Sequence, residues 1–275
     1  MEKKTEMPNV LGVALLHKCN FNCSHCGYLY TGENDDHGIK PDYRLKWEQI
    51  MALLEDCKKT EEMNWAFIIN GGEPTLWEEG DLGLIDVLLE TQKAGVRPAY
   101  NTNGSYFTEP TQCCDFFHKY ADNAEMPLMT AVSIDDFHDN FDREKGRAES
   151  LDNIIEVLDE MPAEKREMHR VHVITIVTKD PASALPPEMK TYYEAKGITF
   201  GDFPLQPIGR AKKLMDRMPD PPESMKSGPN MAYEMTFANV IGDYYTRHGK
   251  NVAKLGCLKD LVDESCIPRF NSYKH

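Results

Sequence analysis

Continuous apolar runs alternate along this chain with segments in which apolar residues recur every three or four positions. The runs are typical of strands buried on both faces, and the periodic segments are typical of amphipathic helices. The six runs lie at residues 10–16, 65–70, 97–101, 128–134, 171–177 and 198–205. The predicted helices lie at 44–57, 82–94, 109–120, 151–158 and 188–195, and a helix-like segment follows the sixth run. Gly95 is expected to cap the second helix.

This alternation predicts an α/β fold with a parallel sheet and right-handed crossovers. Six strand-helix units are fewer than the eight that close a full barrel, so we expect a partial (β/α)6 barrel of the TIM type with an open side. We expect the barrel to span residues 1–215, a proline-rich connector to span 216–230, and a small extension to span 231–275. The extension contains one predicted hairpin at 236–246, with Gly-Asp at its turn.

The chain has 275 residues, with 45 acidic and 31 basic side chains and a formal net charge of -14. This balance argues against general binding to nucleic-acid phosphates, which depends on clustered lysine and arginine. The longest apolar run is far shorter than the roughly 20 residues that span a bilayer, and no charged-then-apolar leader opens the sequence. We therefore expect a soluble cytoplasmic protein with no nucleic-acid or membrane partner, whose eight cysteines are reduced thiols or metal ligands.

Three of these cysteines, Cys19, Cys23 and Cys26, fall within eight residues directly after the first predicted strand. Three thiols this close can converge on one metal centre, but they cannot pair as disulfides without leaving one over. Backbone N–H groups in such a loop can point at the sulfur atoms of a cluster. Three protein ligands leave one coordination position open, and an open position indicates chemistry rather than structure alone.

Other chemically unusual residues also follow predicted strands. They lie at 71–74 after the second strand, at 101–104 after the third and at 133–136 after the fourth. Because the carboxyl ends of the strands form the active-site edge of α/β barrels, we expect these groups and the cysteines to converge there. In the first group, two glycines let the backbone approach a ligand closely, while Pro74 favours an extended Glu73 whose carboxylate is a possible acceptor.

The combination resembles the radical S-adenosylmethionine (radical SAM) superfamily. The resemblance covers roughly residues 10–213 and rests on five motifs in the expected order. They are the C-x3-C-x2-C loop, Asn-Gly-Gly-Glu-Pro at 70–74, Asn-Thr-Asn-Gly at 101–104, Ser-Ile-Asp at 133–135 and Pro-Ile-Gly-Arg-Ala at 207–211.

The resemblance implies a partial barrel in which Cys19, Cys23 and Cys26 hold three irons of a [4Fe-4S] cluster and SAM chelates the fourth. It implies an enzyme that uses an electron, supplied by a donor such as flavodoxin or ferredoxin, to cleave SAM to a 5′-deoxyadenosyl radical. This radical abstracts hydrogen from a small-molecule or peptide substrate. The reaction outcome is not implied.

The resemblance also implies contacts with SAM. Residues 71–74 match the segment that receives the methionine amino group, and Ser133 and Asp135 match side chains that meet the ribose hydroxyls. His25 occupies a position near the adenine. The implied cofactor-binding residues are His25, Gly71, Gly72, Glu73, Pro74, Thr102, Asn103, Ser133 and Asp135.

Two other interpretations stay open. A structural or regulatory zinc protein would use the three cysteines with His17 or His25. A peptide-modifying enzyme of the same superfamily would hold an auxiliary cluster in an extension of the SPASM/twitch type, of which this C-terminus resembles a degenerate form. Cys257 and Cys266 alone are too few for a four-ligand site. We therefore expect one cluster and an extension that acts as a lid, with Cys257 or Cys266 as an alternative hydrogen donor to a substrate radical.

The remaining reactive side chains are expected to have structural positions. His138 is expected at the surface or as a cap rather than as a general base, and Arg210 at a solvated helix start. The cysteines expected to be structural are Cys57, Cys113 and Cys114.

Overall fold

The computed structural model describes residues 9–26, 44–58, 65–138, 140–142, 144, 146–205, 209–219, 235–238, 243–248 and 251–257. The strands are β1 (Asn9–Ala14), β2 (Trp65–Asn70), β3 (Glu78–Glu79), β4 (Leu82–Gly83), β5 (Arg97–Thr102), β6 (Leu128–Ser133), β7 (His169–Val177), β8 (Thr199–Pro204), β9 (Met235–Ala238), β10 (Asp243–His248) and β11 (Asn251–Cys257). The α-helices are α1 (Trp47–Lys58), α2 (Leu84–Lys93), α3 (Pro110–Asn123), α4 (Glu149–Glu160), α5 (Ala163–Arg166) and α6 (Pro187–Glu194). Short 3-10 helices lie at Pro74–Leu76, Ser105–Thr108, Pro181–Ser183 and Gly209–Arg217.

Nine strands form one sheet in the order β11-β10-β9-β1-β2-β5-β6-β7-β8. The six strands from β1 to β8 in this order run parallel to their neighbours. At least one α-helix lies on each connection between them. These units confirm the predicted α/β fold of the partial (β/α)6 type. Within the described ranges, the helices include none that is long and apolar enough to cross a bilayer.

The hydrophobic core lies between the parallel strands and the helices. One row of aligned residues crosses five strands and consists of Val13, Ile69, Tyr100, Thr130 and Val171. None of them is more than 5% exposed. The Tyr100 ring contacts an aromatic ring of α3, which places the row on the helix-covered face. The Thr130 hydroxyl donates to the Tyr100 hydroxyl (3.2 Å), so this polar side chain is buried with a partner.

Helix α2 begins two residues later than the start of its apolar pattern. Leu82 lies in β4, which pairs with β3, and the Gly83 N–H donates to the Asp86 carboxylate (2.9 Å) at the helix start. The predicted helix end is confirmed. Gly95 has a φ of 76°, and its N–H donates to the Gln92 carbonyl oxygen (2.8 Å). Glycine adopts this left-handed conformation without the steric cost that a Cβ atom brings.

The C-terminal strands extend the sheet beyond β1. Strand β9 pairs parallel to β1, and β10 pairs antiparallel to both β9 and β11. The β9–β10 pairing confirms the predicted hairpin, whereas β11 is not predicted because its short sequence mixes charged, small and apolar residues. The hairpin turn, most of the predicted connector and Cys266 lie outside the described residues. The domain boundaries at 215 and 230 and the lid role of the extension stay predictions.

His169 begins β7 and is buried beneath α3. Its Nε2 atom lies 3.0 Å from the Phe117 carbonyl oxygen, and its ring centroid lies 4.9 Å from that of the Phe117 ring. In the described part of the chain its Nδ1 atom is buried without a hydrogen-bond partner. Burial lowers the pKa of His169 to about 4, so the folded protein holds a neutral imidazole here.

This neutral histidine predicts a loss of stability in acid. The unfolded chain binds a proton at position 169 at an ordinary histidine pKa, whereas the folded chain binds it only near pH 4. The stability is therefore complete above about pH 6.5 and is lost as the pH falls towards 4. We expect the unfolding free energy of the His169→Phe variant to decrease less per pH unit than that of the wild type. The difference between the two slopes should be up to about 1.4 kcal/mol per pH unit. Urea unfolding across this pH range measures the difference, and identical slopes would contradict it.

Candidate functional site

The carboxyl ends of β1, β2, β5 and β6 lie side by side in the sheet. The segments that leave these ends are residues 15–26, 71–74, 103–109 and 134–138. Hydrogen bonds and ring contacts join the segments to one another. The structure therefore brings together the strand-end groups that the sequence analysis places at one edge.

The two glycines after β2 pack against the segment that leads into the cysteines. The Gly72 N–H donates to the Leu16 carbonyl oxygen (2.7 Å), and the Glu73 N–H donates to the Lys18 carbonyl oxygen (2.9 Å). A Cβ atom at Gly72 would stand 1.9 Å from the Lys18 carbonyl oxygen, which no side chain can tolerate. The glycines are therefore needed for the approach of one backbone segment to another.

The carboxylate of Glu73 joins the end of β2 to the end of β5. One oxygen accepts hydrogen bonds from the Thr75 N–H (3.2 Å), the Thr75 hydroxyl (2.8 Å) and the Thr102 hydroxyl (2.8 Å). The other oxygen accepts from the Asn103 N–H (2.7 Å). Burial raises the pKa of Glu73, since the side chain is almost fully enclosed, and these hydrogen bonds act in the opposite direction. Glu73 is therefore a buried acceptor that fixes both segments.

Asn103 connects this network to the cysteine loop. Its Nδ2 atom donates to the Asn20 side-chain oxygen (2.9 Å) and lies 3.7 Å from the Cys19 sulfur. The Phe21 N–H also points at the Cys19 sulfur, at 3.4 Å. Such N–H groups stabilise a thiolate ligand and tune an iron-sulfur centre. The donor set around Cys19 therefore fits a metal-bound thiolate.

Arg210 holds the second half of the cysteine loop. Its backbone N–H donates to the Cys26 carbonyl oxygen (3.0 Å), and its Nη1 atom donates to the Cys23 carbonyl oxygen (3.4 Å) and to the Asn22 side chain. The expectation of a solvated helix start for Arg210 is wrong, because the chain returns to the cysteines after β8. Only the tertiary fold shows this contact, since Arg210 and Cys23 are 187 residues apart.

Asp135, which follows β6, is fully buried and accepts three hydrogen bonds. Its oxygens accept from the Phe137 N–H (2.8 Å), from His138 Nδ1 (2.9 Å) and from the Ile176 N–H (3.2 Å). Burial raises the pKa of Asp135, but His138 and the Phe137 N–H outweigh it and hold the pKa below its usual range. Asp135 is therefore an ionised carboxylate that positions His138.

The two histidines at the site differ in charge. Burial lowers the pKa of His138, but Asp135 and the Cys23 thiol outweigh it and raise that pKa to about 10. Burial lowers the pKa of His25 to about 4. The His25 ring centroid lies 4.6 Å from that of Phe137 and 5.0 Å from that of His138. His25 is therefore a neutral ring in aromatic surroundings. His138 is expected from the sequence at the surface or as a cap, and this expectation does not include its contact with the site.

Asn140 is a site residue that the sequence analysis misses. Its Nδ2 atom donates to the carbonyl oxygens of Asn103 and Ser133, both at 2.6 Å, and so joins the ends of β5 and β6. Asn140 lies in an irregular segment without a periodic apolar pattern, so no local signal marks it. Ser133 itself is half-buried at the end of β6.

Two sets of side chains at this edge could bind metal: one cysteine with two histidines, and the three loop cysteines. The ligand atoms of Cys23, His25 and His138 lie within 4.8 Å of one another, a spacing that suits one ion. This group has one cysteine and two histidines, and so differs from the three cysteines and one histidine of the alternative zinc site. Of the three loop cysteines, Cys19 is exposed, and Cys23 and Cys26 are half-buried. In a four-iron cluster each thiolate binds a different iron, so the three sulfurs need not crowd around one point.

Comparison with known proteins shows the family of the chain. The family model described as Radical SAM superfamily matches residues 13–184, which is more than half of the sequence. The match includes the cysteine loop and the strand ends after β2, β5 and β6. No curated protein matches the chain.

Solved structures are similar to this chain at low sequence identity. Native anSMEcpe with bound AdoMet is 15% identical with a TM-score of 0.54, over 93% of this chain and 81% of that chain. Coproporphyrinogen III oxidase (HemN) from Escherichia coli is 12% identical with a TM-score of 0.47, over 94% and 70%. Streptococcus suis SuiB bound to precursor peptide SuiA is 11% identical with a TM-score of 0.47, over 86% and 59%.

The Glu73 network predicts that an isosteric amide will destabilise the site. In Glu73→Gln an NH2 group replaces one acceptor oxygen and faces the N–H and hydroxyl donors of the chain. We expect the unfolding free energy to fall by about 1–3 kcal/mol, because a buried donor loses its partner. Urea unfolding measures this loss. The control is Glu78→Gln at an exposed position, which should stay within about 0.5 kcal/mol of wild type. Equal effects at both positions would contradict the prediction.

Proposed function

The chain belongs to the radical S-adenosylmethionine superfamily, and from this premise we propose that Cys19, Cys23 and Cys26 hold the [4Fe-4S] cluster. Members of this superfamily are enzymes whose cofactors are such a cluster and SAM. The observation that carries the proposal is the pair of N–H groups at the Cys19 sulfur, one from Phe21 and one from Asn103. Three thiolates leave the fourth iron without a protein ligand, and SAM is the ligand proposed for it.

When bound, the reduced cluster supplies the electron that cleaves SAM and so generates the radical that abstracts hydrogen from the substrate. The residues of the chain bind and orient. Asn103 and Arg210 fix the two halves of the cysteine loop through hydrogen bonds to Asn20, Cys23 and Cys26. The loop is thereby held in one arrangement before the cofactors bind, which lowers the entropy cost of binding.

The proposed SAM site is the edge formed by the ends of β2, β5 and β6. Its candidate residues remain those implied by the sequence: His25, Gly71, Gly72, Glu73, Pro74, Thr102, Asn103, Ser133 and Asp135. Glu73 and Asp135 are proposed to act by fixing the surrounding backbone, since donors of the chain already occupy their oxygens. Peptide groups at 71–74 and the half-buried Ser133 are proposed to meet the amino group and the ribose of SAM.

We propose a single cluster because the other cysteines whose side chains the structure describes lie in or against the hydrophobic core, away from any second site. Cys57 and Cys113 are buried in the hydrophobic core, and Cys114 packs against it. These positions support the structural role expected for all three.

The proposed partners are a small-molecule or peptide substrate and an electron donor such as flavodoxin or ferredoxin, and the proposed location is the cytoplasm.

The cluster assignment predicts different outcomes for two cysteines. After anaerobic reconstitution, wild type should contain about four irons per chain and form 5′-deoxyadenosine from SAM with a reductant. Cys23→Ala should lose the cluster absorbance and this activity, because one iron loses its ligand. Cys57→Ala removes a buried core thiol and is the control that should retain both.

Two results would contradict the assignment. A colourless wild type that binds zinc and forms no 5′-deoxyadenosine would show a zinc protein instead. About eight irons per chain would show a second cluster and would contradict the single-cluster proposal.

A further inference from the structure

The backbone of Asn103 is fixed at the edge of the sheet, directly after β5. The residue is only 6% exposed. Its N–H donates to the Glu73 carboxylate (2.7 Å), and its carbonyl oxygen accepts a hydrogen bond from Asn140 Nδ2 (2.6 Å). A buried residue with both backbone groups bound cannot shift without breaking a hydrogen bond. The place from which the Asn103 side chain extends is therefore fixed.

The hydrogen bonds of the Asn103 side chain define which end of its amide faces the cysteine loop. Its Oδ1 atom accepts from the Ser105 N–H (2.9 Å), a group that can only donate. Its Nδ2 atom donates to Asn20 Oδ1 (2.9 Å), and Asn20 Nδ2 in turn donates to the Ser105 hydroxyl (2.8 Å). The amide of Asn103 therefore presents its N–H groups, and not its oxygen, to the loop.

One of these N–H groups faces the Cys19 sulfur. An amide nitrogen carries two hydrogens, and Asn20 Oδ1 accepts one of them. The Cys19 sulfur lies 3.7 Å from the same nitrogen, a distance that suits a hydrogen bond to the large sulfur atom. A cysteine that binds iron is a thiolate, which has no hydrogen and can only accept. The second hydrogen of Asn103 Nδ2 therefore has Cys19 as its acceptor.

A hydrogen bond to a ligand sulfur acts more strongly on a reduced cluster than on an oxidised one. The added electron makes the thiolate ligands more negative, and a more negative acceptor binds an N–H more tightly. The hydrogen bond therefore stabilises the reduced state and raises the reduction potential. A higher potential lets a weaker electron donor reduce the cluster.

We propose that Asn103 raises the reduction potential of the cluster through its hydrogen bond to Cys19. This inference rests on the proposed function, since it requires a cluster bound at Cys19. Asn103 is then a positioning residue that acts through Cys19. The proposal narrows the candidate SAM residues, because the side chain of Asn103 is committed to Ser105, Asn20 and Cys19 and has no group left for SAM.

A redox titration of the reconstituted protein, followed by electron paramagnetic resonance of the reduced cluster, measures the effect. Asn103→Leu has a side chain of similar shape without the N–H groups. We expect its reduction equilibrium to shift about tenfold towards the oxidised state, which is about 59 mV for one electron. Ser105→Ala is the matched control, because it removes the hydroxyl that Asn20 binds but keeps the Ser105 N–H and the Asn103 amide. Its potential should equal that of wild type.

Asn103→Asp is the second variant, and it decides the question if Asn103→Leu assembles no cluster. It keeps the acceptor for the Ser105 N–H but has no side-chain nitrogen. Electron-nuclear double resonance of protein labelled with 15N in its asparagine side chains should show a weak coupling to the reduced cluster. Asn103→Asp should abolish this coupling and lower the potential, and Ser105→Ala should retain both.

SAM affinity separates the proposed role from a direct contact with SAM. Equilibrium dialysis should give Asn103→Leu a Kd within about twofold of wild type, whereas loss of a direct hydrogen bond to SAM would weaken binding about fivefold or more. Weaker SAM binding with an unchanged potential would therefore overturn the proposal.

Two further results would overturn it: an equal potential in wild type and Asn103→Leu, or a shift in Ser105→Ala as large as that in Asn103→Leu. If wild type forms no cluster, the proposed function fails and this inference fails with it. If wild type forms the cluster and cleaves SAM while the potentials stay equal, only this inference fails.

Discussion

The carboxylate of Glu73 is almost completely buried, and four hydrogen-bond donors of the chain surround its two oxygens. A buried charge without such partners would cost several kcal/mol or more, so the donors must be supplied wherever this carboxylate is placed. Thr75 supplies two of them from the same turn. Thr102 and Asn103 supply the others from the next strand, and Asn103 in turn reaches the cysteine loop. The arrangement of the site thus depends on this one acceptor.

The same constraint explains why two distant sequence motifs occur together. The Gly-Gly-Glu-Pro turn needs glycine because its backbone lies against the segment after β1, and it needs the Asn-Thr-Asn-Gly turn because Glu73 must be satisfied. Each motif alone is a weak signal. Their mutual hydrogen bonds make the end of β2 and the end of β5 a single unit.

The sequence predicts the parallel strands, their order along the chain and the strand-end groups, because each of these is a local pattern. Buried strands appear as continuous apolar runs, and the carboxyl ends of parallel strands share an edge. The sequence does not predict strand β11, the role of Asn140 or the contact of Arg210 with the cysteine loop. Strand β11 depends on its pairing with β10, and the two side chains act across long sequence separations. Such contacts are set by tertiary packing, which no local periodicity encodes.

Helices cover one face of the sheet, and on the other face the described part of the chain leaves Met129 and Phe203 accessible. The central claim is that the cysteine loop holds a four-iron cluster with one iron left for SAM. Electron-nuclear double resonance of the reduced cluster, with SAM labelled by 15N in the amino group and 17O in the carboxylate, tests it most directly. The account predicts hyperfine coupling from both labels in wild type. An intact cluster that binds SAM without coupling from either label would contradict it.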